Sequence, residues 1–180
     1  VPRYRGDLYT PVERQYVLKP SLYSEFMKAA LENTSYFRPL AFDYPDDPDA
    51  REVEDQLLLG EGLMAAPVYV QNAHGRHVYL PEPMQLYRLR SAEDYDTEAL
   101  RAVDDYDEEI LPAGHHYIRC ALDEVLLFLR PGHIVPVAQP ANNTSELDDA
   151  SLTLWSFLPD GESAEYRMYR DDGVTTEYEK

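Results

Sequence analysis

From residue 63 onward every apolar run is short and is stopped by a turn former, and this punctuation restricts the chain to short strands. The candidate strands are residues 63–70, 77–80, 85–90, 116–120, 125–130 and 134–137. Between them stand Asn72 to Gly75, Pro81 to Pro83, Pro112 to Gly114 and Pro131-Gly132. Proline removes a backbone donor and glycine permits tight reversals, so each cluster ends a strand and turns the chain. The run at 63–70 (LMAAPVYV) is mostly apolar, which predicts burial on both faces, with Pro67 placing an edge or bulge. Fifteen tyrosines and fourteen prolines suit half-buried pleats and edge strands. The expected fold class is therefore mainly β.

One segment reads differently. Thr10-Pro11-Val12-Glu13 has the form of a capping box with proline at the first helical position. Behind it Tyr16, Leu22, Tyr23, Phe26, Met27 and Ala30 recur at spacings of three and four, which predicts a helix over residues 10–32. Pro20 falls inside it and predicts a kink or break near Lys19-Pro20, with Asn33 as the stop. Residues 36–44 are expected as a strand, 43–50 as an Asp/Pro loop and 52–59 as a short helix or turn ended by Gly60 and Gly62. Residues 91–109 read as a long acidic loop and 139–150 as a linker. Strands are expected again at 152–158 and 164–169, joined at Pro159-Asp160-Gly161, with a tight turn at Asp171-Asp172-Gly173. Boundaries are placed near Asn72 and between Pro140 and Ala150, dividing the chain into 1–72, 73–140 and 141–180.

Charge narrows the partners. The formal net charge is -18 over 180 residues, with no basic stripe. Such a field repels a phosphate backbone and an anionic membrane surface, so neither nucleic acid nor membrane is an expected partner. No apolar run approaches the roughly 20 residues that span a bilayer, and Arg3, Arg5 and Asp7 stand where a signal peptide would be apolar. The single cysteine, Cys120, is expected to be a buried structural thiol, and one unpaired thiol fits a cytoplasmic setting.

Residues able to carry chemistry give no catalytic constellation. Asp43, Asp46, Asp47 and Asp49 crowd one loop, and Asp94, Asp96, Asp104, Asp105, Asp107, Glu108 and Glu109 another, without the spacing of a calcium loop. His74, His77, His115, His116 and His133 do not form a zinc pattern, so neither a metal nor a cofactor is expected. Gly60-Glu61-Gly62 lacks the rest of a dinucleotide fingerprint, and Ser21 and Ser24 lack a nucleophile elbow. Asn33-Thr34-Ser35 and Asn142-Asn143-Thr144 match glycosylation acceptors, which count only on a secretory route.

Six segments, in order, resemble glycoside hydrolase family 31. Leu22-Tyr23-Ser24 with Lys28-Ala29-Ala30 is similar to the family's "PYLYSLF.EA" helix. Residues 38–47 (RPLAFDYPDD) resemble "RPLFFEFPDD", and residues 54–68 resemble "DDQFLLG..LLVAPV". Residues 76–81 (RHVYLP) resemble "R.VYLP", residues 125–136 (VLLFLRPGHIVP) resemble "PLFVRAGSIIP", and residues 169–173 (YRDDG) resemble "LYEDDG". The resemblance implies the end of a (β/α)8 barrel over 1–72, a proximal β-sandwich over 73–140, and a linker with the start of a distal β-domain over 141–180. It implies a parent α-glucosidase that cleaves α-glycosidic bonds with retention, using two aspartates about 5–5.5 Å apart. Those lie upstream in the family, and the nucleophile's "D.NEP" string does not occur here, so no residue of this chain is assigned a catalytic role. The chain is then expected to buttress the rest of the barrel and to be inactive alone, meeting an α-glucoside only through the parent. Separated from the barrel, the helix face of Leu22, Phe26 and Met27 and the strand Leu40 to Phe42 would lack partners, which predicts self-association through the segment from Thr10 to Tyr44. Two other readings stand beside this one. The tyrosines could make the chain a non-catalytic carbohydrate-binding β-domain, or the same family could act as an α-xylosidase or transglucosidase.

Overall fold

A computed structural model describes residues 6–89, 109–121, 124–139 and 151–171, with side chains from residue 17 on. It begins with helix α1 (Gly6–Glu32). The helix runs unbroken past Pro20, against the break expected there. Pro20 is buried, and a helix held by packing on one face tolerates the one backbone bond that proline removes. Asn33 ends it in the left-handed conformation (φ 56°), and the Thr34 amide reaches back to the Ala29 carbonyl at 2.9 Å.

The next segment departs from expectation. Strand β1 (Phe37–Pro39) is only three residues long and passes straight into the single helical turn α2 (Leu40–Asp43). The loop expected at 43–50 instead contains α3 (Pro48–Glu52). Asp47 caps it by accepting from the Asp49 and Ala50 amides at 2.9 and 3.2 Å, with Pro48 at the first helical position. Strands β2 (Leu57–Leu59) and β3 (Leu63–Ala65) then form a hairpin around Gly60-Glu61-Gly62, so 57–59 is strand rather than helix and the strand at 63 is three residues, not eight.

The remaining strands are β4 (Gly75–Leu80), β5 (Met84–Leu89), β6 (Glu109–Leu111), β7 (Gly114–Arg119), β8 (Val125–Leu129), β9 (His133–Ala138) and β10 (Leu152–Phe157). Every ladder is antiparallel. A six-stranded sheet runs β1-β2-β3-β8-β5-β6, flanked by the ribbons β4-β7 and β9-β10. Because β3 pairs with β8, the sheet passes through the change of character near Asn72 without a break. No strand forms at 164–169; this segment lies along α1, where the Tyr169 amide donates to Ser24 Oγ at 2.6 Å.

The central sheet is buried on both faces, and side-chain alternation assigns each residue to one of them. Leu58, Met64, Leu86, Leu126 and Phe128 face Val78, Leu80 and Ile118 of the β4-β7 ribbon. Leu63, Tyr87, Leu89, Leu127 and Leu129 face Val17 and Leu18 of α1 and Val135, Val137 and Trp155 of β9-β10. Tyr87 and Trp155 stack there at 4.5 Å between centroids. Double-sided burial explains the continuous apolar run VLLFL over β8. Each fully buried leucine or phenylalanine contributes about 1.5–3 kcal/mol. The architecture is a β-sandwich with α1 laid over one outer side, and no described helix is long and apolar enough to cross a membrane.

Candidate functional site

Three segments distant in sequence converge on Arg130, at the end of β8. Its Nη1 donates to Asp43 Oδ2 at 2.9 Å and to the Glu61 carbonyl at 3.0 Å. Its Nε donates to Glu82 Oε1 at 2.9 Å, and Glu82 also accepts from the Tyr44 hydroxyl. The guanidinium lies 5.2 Å from the centroid of the Tyr44 ring. Arg38 grips the same aspartate from the other side, with Nε to Oδ1 at 2.8 Å and Nη2 to Oδ2 at 3.0 Å, and Nη2 reaches the Gly60 carbonyl at 3.0 Å. The β1–α2 corner, the β2–β3 turn, the β4–β5 turn and the end of β8 are thereby tied together.

The electrostatics follow from this geometry. The Arg38 hydrogen bond, reinforced by both guanidinium charges, outweighs burial and holds the Asp43 carboxyl below its ordinary value. Burial opposes the Arg130 charge, but the Glu82 hydrogen bond and the charges around it raise its pKa all the same. Burial and the bond to Glu82 push Tyr44 upward, keeping it a phenol that donates. A carboxylate gripped by two guanidiniums is a poor base and a poor nucleophile, so this arrangement suits a clamp rather than an acid–base pair.

A second tie joins α1 to the β2–β3 turn. Glu25, 8% exposed, accepts from Lys28 Nζ at 2.7 Å and from the Glu61 amide at 3.1 Å. Gly60, in the left-handed region (φ 63°), sits against it so closely that an added Cβ would fall 2.4 Å from Glu25 Cγ. The change Gly60→Ala combines a left-handed penalty of about 1–2 kcal/mol with expulsion of a pinned carboxylate. We expect a loss of about 2–3 kcal/mol in urea unfolding; a loss under about 0.5 kcal/mol would mean that Glu25 is not held there. Beside this contact lies a cleft of roughly 540 Å³ lined by Lys28, Glu61, His133 and Tyr166. Burial first, then the Arg130 charge, lowers the His133 pKa.

The candidates from the sequence scatter over several roles. Asp43 joins the clamp, Asp47 caps α3 and accepts from Tyr79 Oη at 2.7 Å, and Asp49 lies 3.6 Å from His115 Nε2. Asp46 is exposed, and no group of three or more metal-ligating side chains forms among the described residues. Glu109 opens β6, while Asp94, Asp96, Asp104, Asp105, Asp107 and Glu108 lie outside the described residues, as do Asn142, Asp172 and Gly173. Cys120 is buried and directs its thiol at the Ala121 and Glu124 carbonyls. Ser21 Oγ bonds back to the Leu18 carbonyl, and Ser24 receives Tyr169. His74 is exposed, and His116 Nε2 sits 2.7 Å from the Pro112 carbonyl. Asp171 accepts from the Tyr23 hydroxyl at 2.5 Å.

Of the apolar groups expected to lack partners, Phe26 and Phe42 are exposed, at 53% and 66%. Leu40 is wholly buried and Leu22 packs into the core beside α1. Tyr36 bridges Phe26 and Phe37 at centroid distances of 6.3 and 4.2 Å, making a small exposed aromatic group. Sequence reasoning missed Arg130, Glu82 and Glu25 as organising residues. For Arg130 the available signal was a cation directly behind a wholly apolar strand.

Residues 33–135 match the family model described as the glycosyl hydrolase family 31 C-terminal domain. The chain is 28% identical over 183 residues to neutral alpha-glucosidase AB of Mus musculus, covering 98% of this chain and 17% of that protein. It is 27% identical over 179 residues to an alpha-xylosidase of Saccharolobus solfataricus, covering 98% of this chain and 22% of that one. Among solved structures it superposes on the cycloalternan-forming enzyme of Listeria monocytogenes, with a TM-score of 0.72 at 22% identity, over 94% of this chain and 15% of that enzyme. The chain thus spans less than a quarter of the length of these relatives. The sandwich, the convergence of the resembling segments on one clamp and the match over 33–135 together mean that this chain belongs to glycosyl hydrolase family 31.

Proposed function

We propose that this chain is the C-terminal part of a retaining α-glucosidase that hydrolyses O-glycosyl bonds of α-glucosides, and that it buttresses the catalytic barrel without supplying a catalytic carboxylate. The match of residues 33–135 to the family's C-terminal domain carries this reading. In it residues 1–72 come from the end of the barrel and its exit, 73–140 form the proximal sandwich, and 141–180 link to the distal domain. The clamp fits a supporting role, because its carboxylates are committed to guanidiniums rather than to a substrate. The exposed group of Phe26, Tyr36 and Phe37 is the face that the barrel covers, and in its absence the same face drives association between copies. An α-xylosidase or transglucosidase parent is the second reading, favoured by the alpha-xylosidase and the cycloalternan-forming enzyme among the relatives. A lone buried thiol is compatible with a reducing, cytoplasmic setting.

The test compares hydrolysis of 4-nitrophenyl α-glucoside and 4-nitrophenyl α-xyloside by the 180-residue chain and by a protein extended upstream through the barrel. Activity on the glucoside in the extended protein alone is the expected result. Activity on the xyloside alone would move the parent to the second reading. Activity of the short chain that tracks its concentration through repurification would overturn the supporting role.

A further inference from the structure

We propose that the outward face of the β4-β7 ribbon is a binding platform for a neutral oligosaccharide. Four rings form a ladder on this face. His77 stands directly opposite Tyr117, and Tyr79 directly opposite His115, in the register of the ribbon. The first pair meets at 5.1 Å between centroids with planes at 64°, the second at 4.8 Å with planes at 46°. Val78, between His77 and Tyr79, and Ile118, next to Tyr117, point into the core, so alternation places His77, His115 and Tyr117 on the outside, while Tyr79 shares their face but is half-buried and packs partly against the core.

Simple solvation does not account for this composition. An outward strand face that only meets water is ordinarily polar, yet Tyr117 is 56% exposed and the His115 side chain 68% exposed. Cross-strand pairing stabilises the ribbon by a few tenths of a kcal/mol up to about 1 kcal/mol. That accounts for the contact within each pair but not for the exposure of Tyr117 and His115. Tyrosine and histidine present an apolar ring with a polar tip, the combination that packs on the C–H face of a pyranose and bonds its hydroxyls. Asp49, whose side chain is 59% exposed, stands beside His115, and Asp47 orients Tyr79 through a 2.7 Å bond to its hydroxyl. Carboxylates at the end of the row accept hydrogen bonds from sugar hydroxyls and repel anions, as does the net charge of -18.

The ribbon by itself is smaller than a stable protein interface. Each strand has six residues, so the ribbon is about 20 Å long and about 10 Å wide, a footprint of about 200 Å². A stable protein interface needs about 800 Å² per partner. A short run of sugar rings fits the smaller area. The choice of an α-glucan as probe rests on the function proposed above; the platform itself rests on the ladder.

The test is binding of maltoheptaose and retardation in gels containing amylopectin, run on the 180-residue chain and on the protein extended upstream. Tyr117→Ala should weaken binding about tenfold in both, and Tyr117→Phe should retain most of it. Hydrolysis of 4-nitrophenyl α-glucoside by the extended protein should be unchanged by either substitution, which separates failure of the platform from failure of the proposed activity. Absence of binding by the unaltered chain, or equal binding by Tyr117→Ala, would overturn the proposal. So would binding by the 180-residue chain that disappears in the extended protein, because the ladder would then be a covered interface.

Discussion

Replacing Arg130 with alanine is expected to destabilise the chain by about 3–5 kcal/mol, because it leaves the largely buried Glu82 carboxylate without its cation, the Glu61 carbonyl without its donor and Asp43 with Arg38 alone. The Arg130 side chain is 14% exposed, Asp43 20% and Glu82 27%, so solvent screens little of this cost. Against a typical domain stability of about 5–15 kcal/mol this is a large fraction, and at about 2–4 °C per kcal/mol it lowers Tm by roughly 6–20 °C. Arg130→Lys should recover only part of the loss, since a single ammonium nitrogen lacks the planar fork by which Nε reaches Glu82 while Nη1 reaches Asp43 and the Glu61 carbonyl. The effect carries a pH signature. The Asp43 carboxyl is depressed chiefly by Arg38 and further by Arg130, so its contribution is complete above its unfolded value of 3.8 and is lost as pH falls through the lower folded value. Urea unfolding of both proteins at neutral pH and in increasingly acid buffer should therefore show the gap narrowing below about pH 4. A gap under about 1 kcal/mol at neutral pH would mean that the clamp does not hold the corner between β1 and α2 to the sheet.

Phe128→Ala is expected to cost a similar amount, about 3–5 kcal/mol, for a different reason. Phe128 is 0% exposed at the middle of β8. Its strand lies between β3 and β5, where it stands opposite Met64 and Leu86. Truncation removes the ring from between two covered layers, and hydrogen-bonded strands on both sides prevent collapse into the cavity. Phe128→Leu should cost about 1–2 kcal/mol, and neither change should show the acid dependence of Arg130→Ala. An alanine variant melting within about 2 °C of the parent would mean that the sheet is not covered on this face.

The two predictions mark where the sequence was legible and where it was not. Phe128 sits in an apolar run bounded by turn formers, so a buried strand could be read directly from VLLFL. Arg130, one residue beyond that strand, looks like any solvated cation at a strand end. Its partners Asp43 and Glu82 are 87 and 48 residues away in sequence. Asp43 itself was grouped with its neighbours in an acidic loop, and only the fold separates it from Asp47, which caps a helix, and Asp49, which stays in solvent. The same limit applies to the ladder. His77 and Tyr117 are unremarkable singly, and they become a row only through the register of β4 and β7.

Local chemistry thus determined the strand-rich class, the leading helix, its stop at Asn33 and the turns that separate the strands, because each depends on residues within a few positions of one another. Tertiary structure decided the rest. The helix continues through Pro20 because its face is buried. The segment after Asn33 folds as a three-residue strand and two short helices rather than as one strand and a loop, because Asp47 caps a turn there and Leu40 and Ala50 are drawn wholly into the core. Residues 164–169 lie along α1 instead of entering a sheet, because the helix offers them Ser24 and Ser21 as partners. The Asp47 cap is local; in the other cases a contact between residues far apart in the chain outweighs a preference of about 1 kcal/mol or less per residue, and such contacts are not encoded in any local pattern.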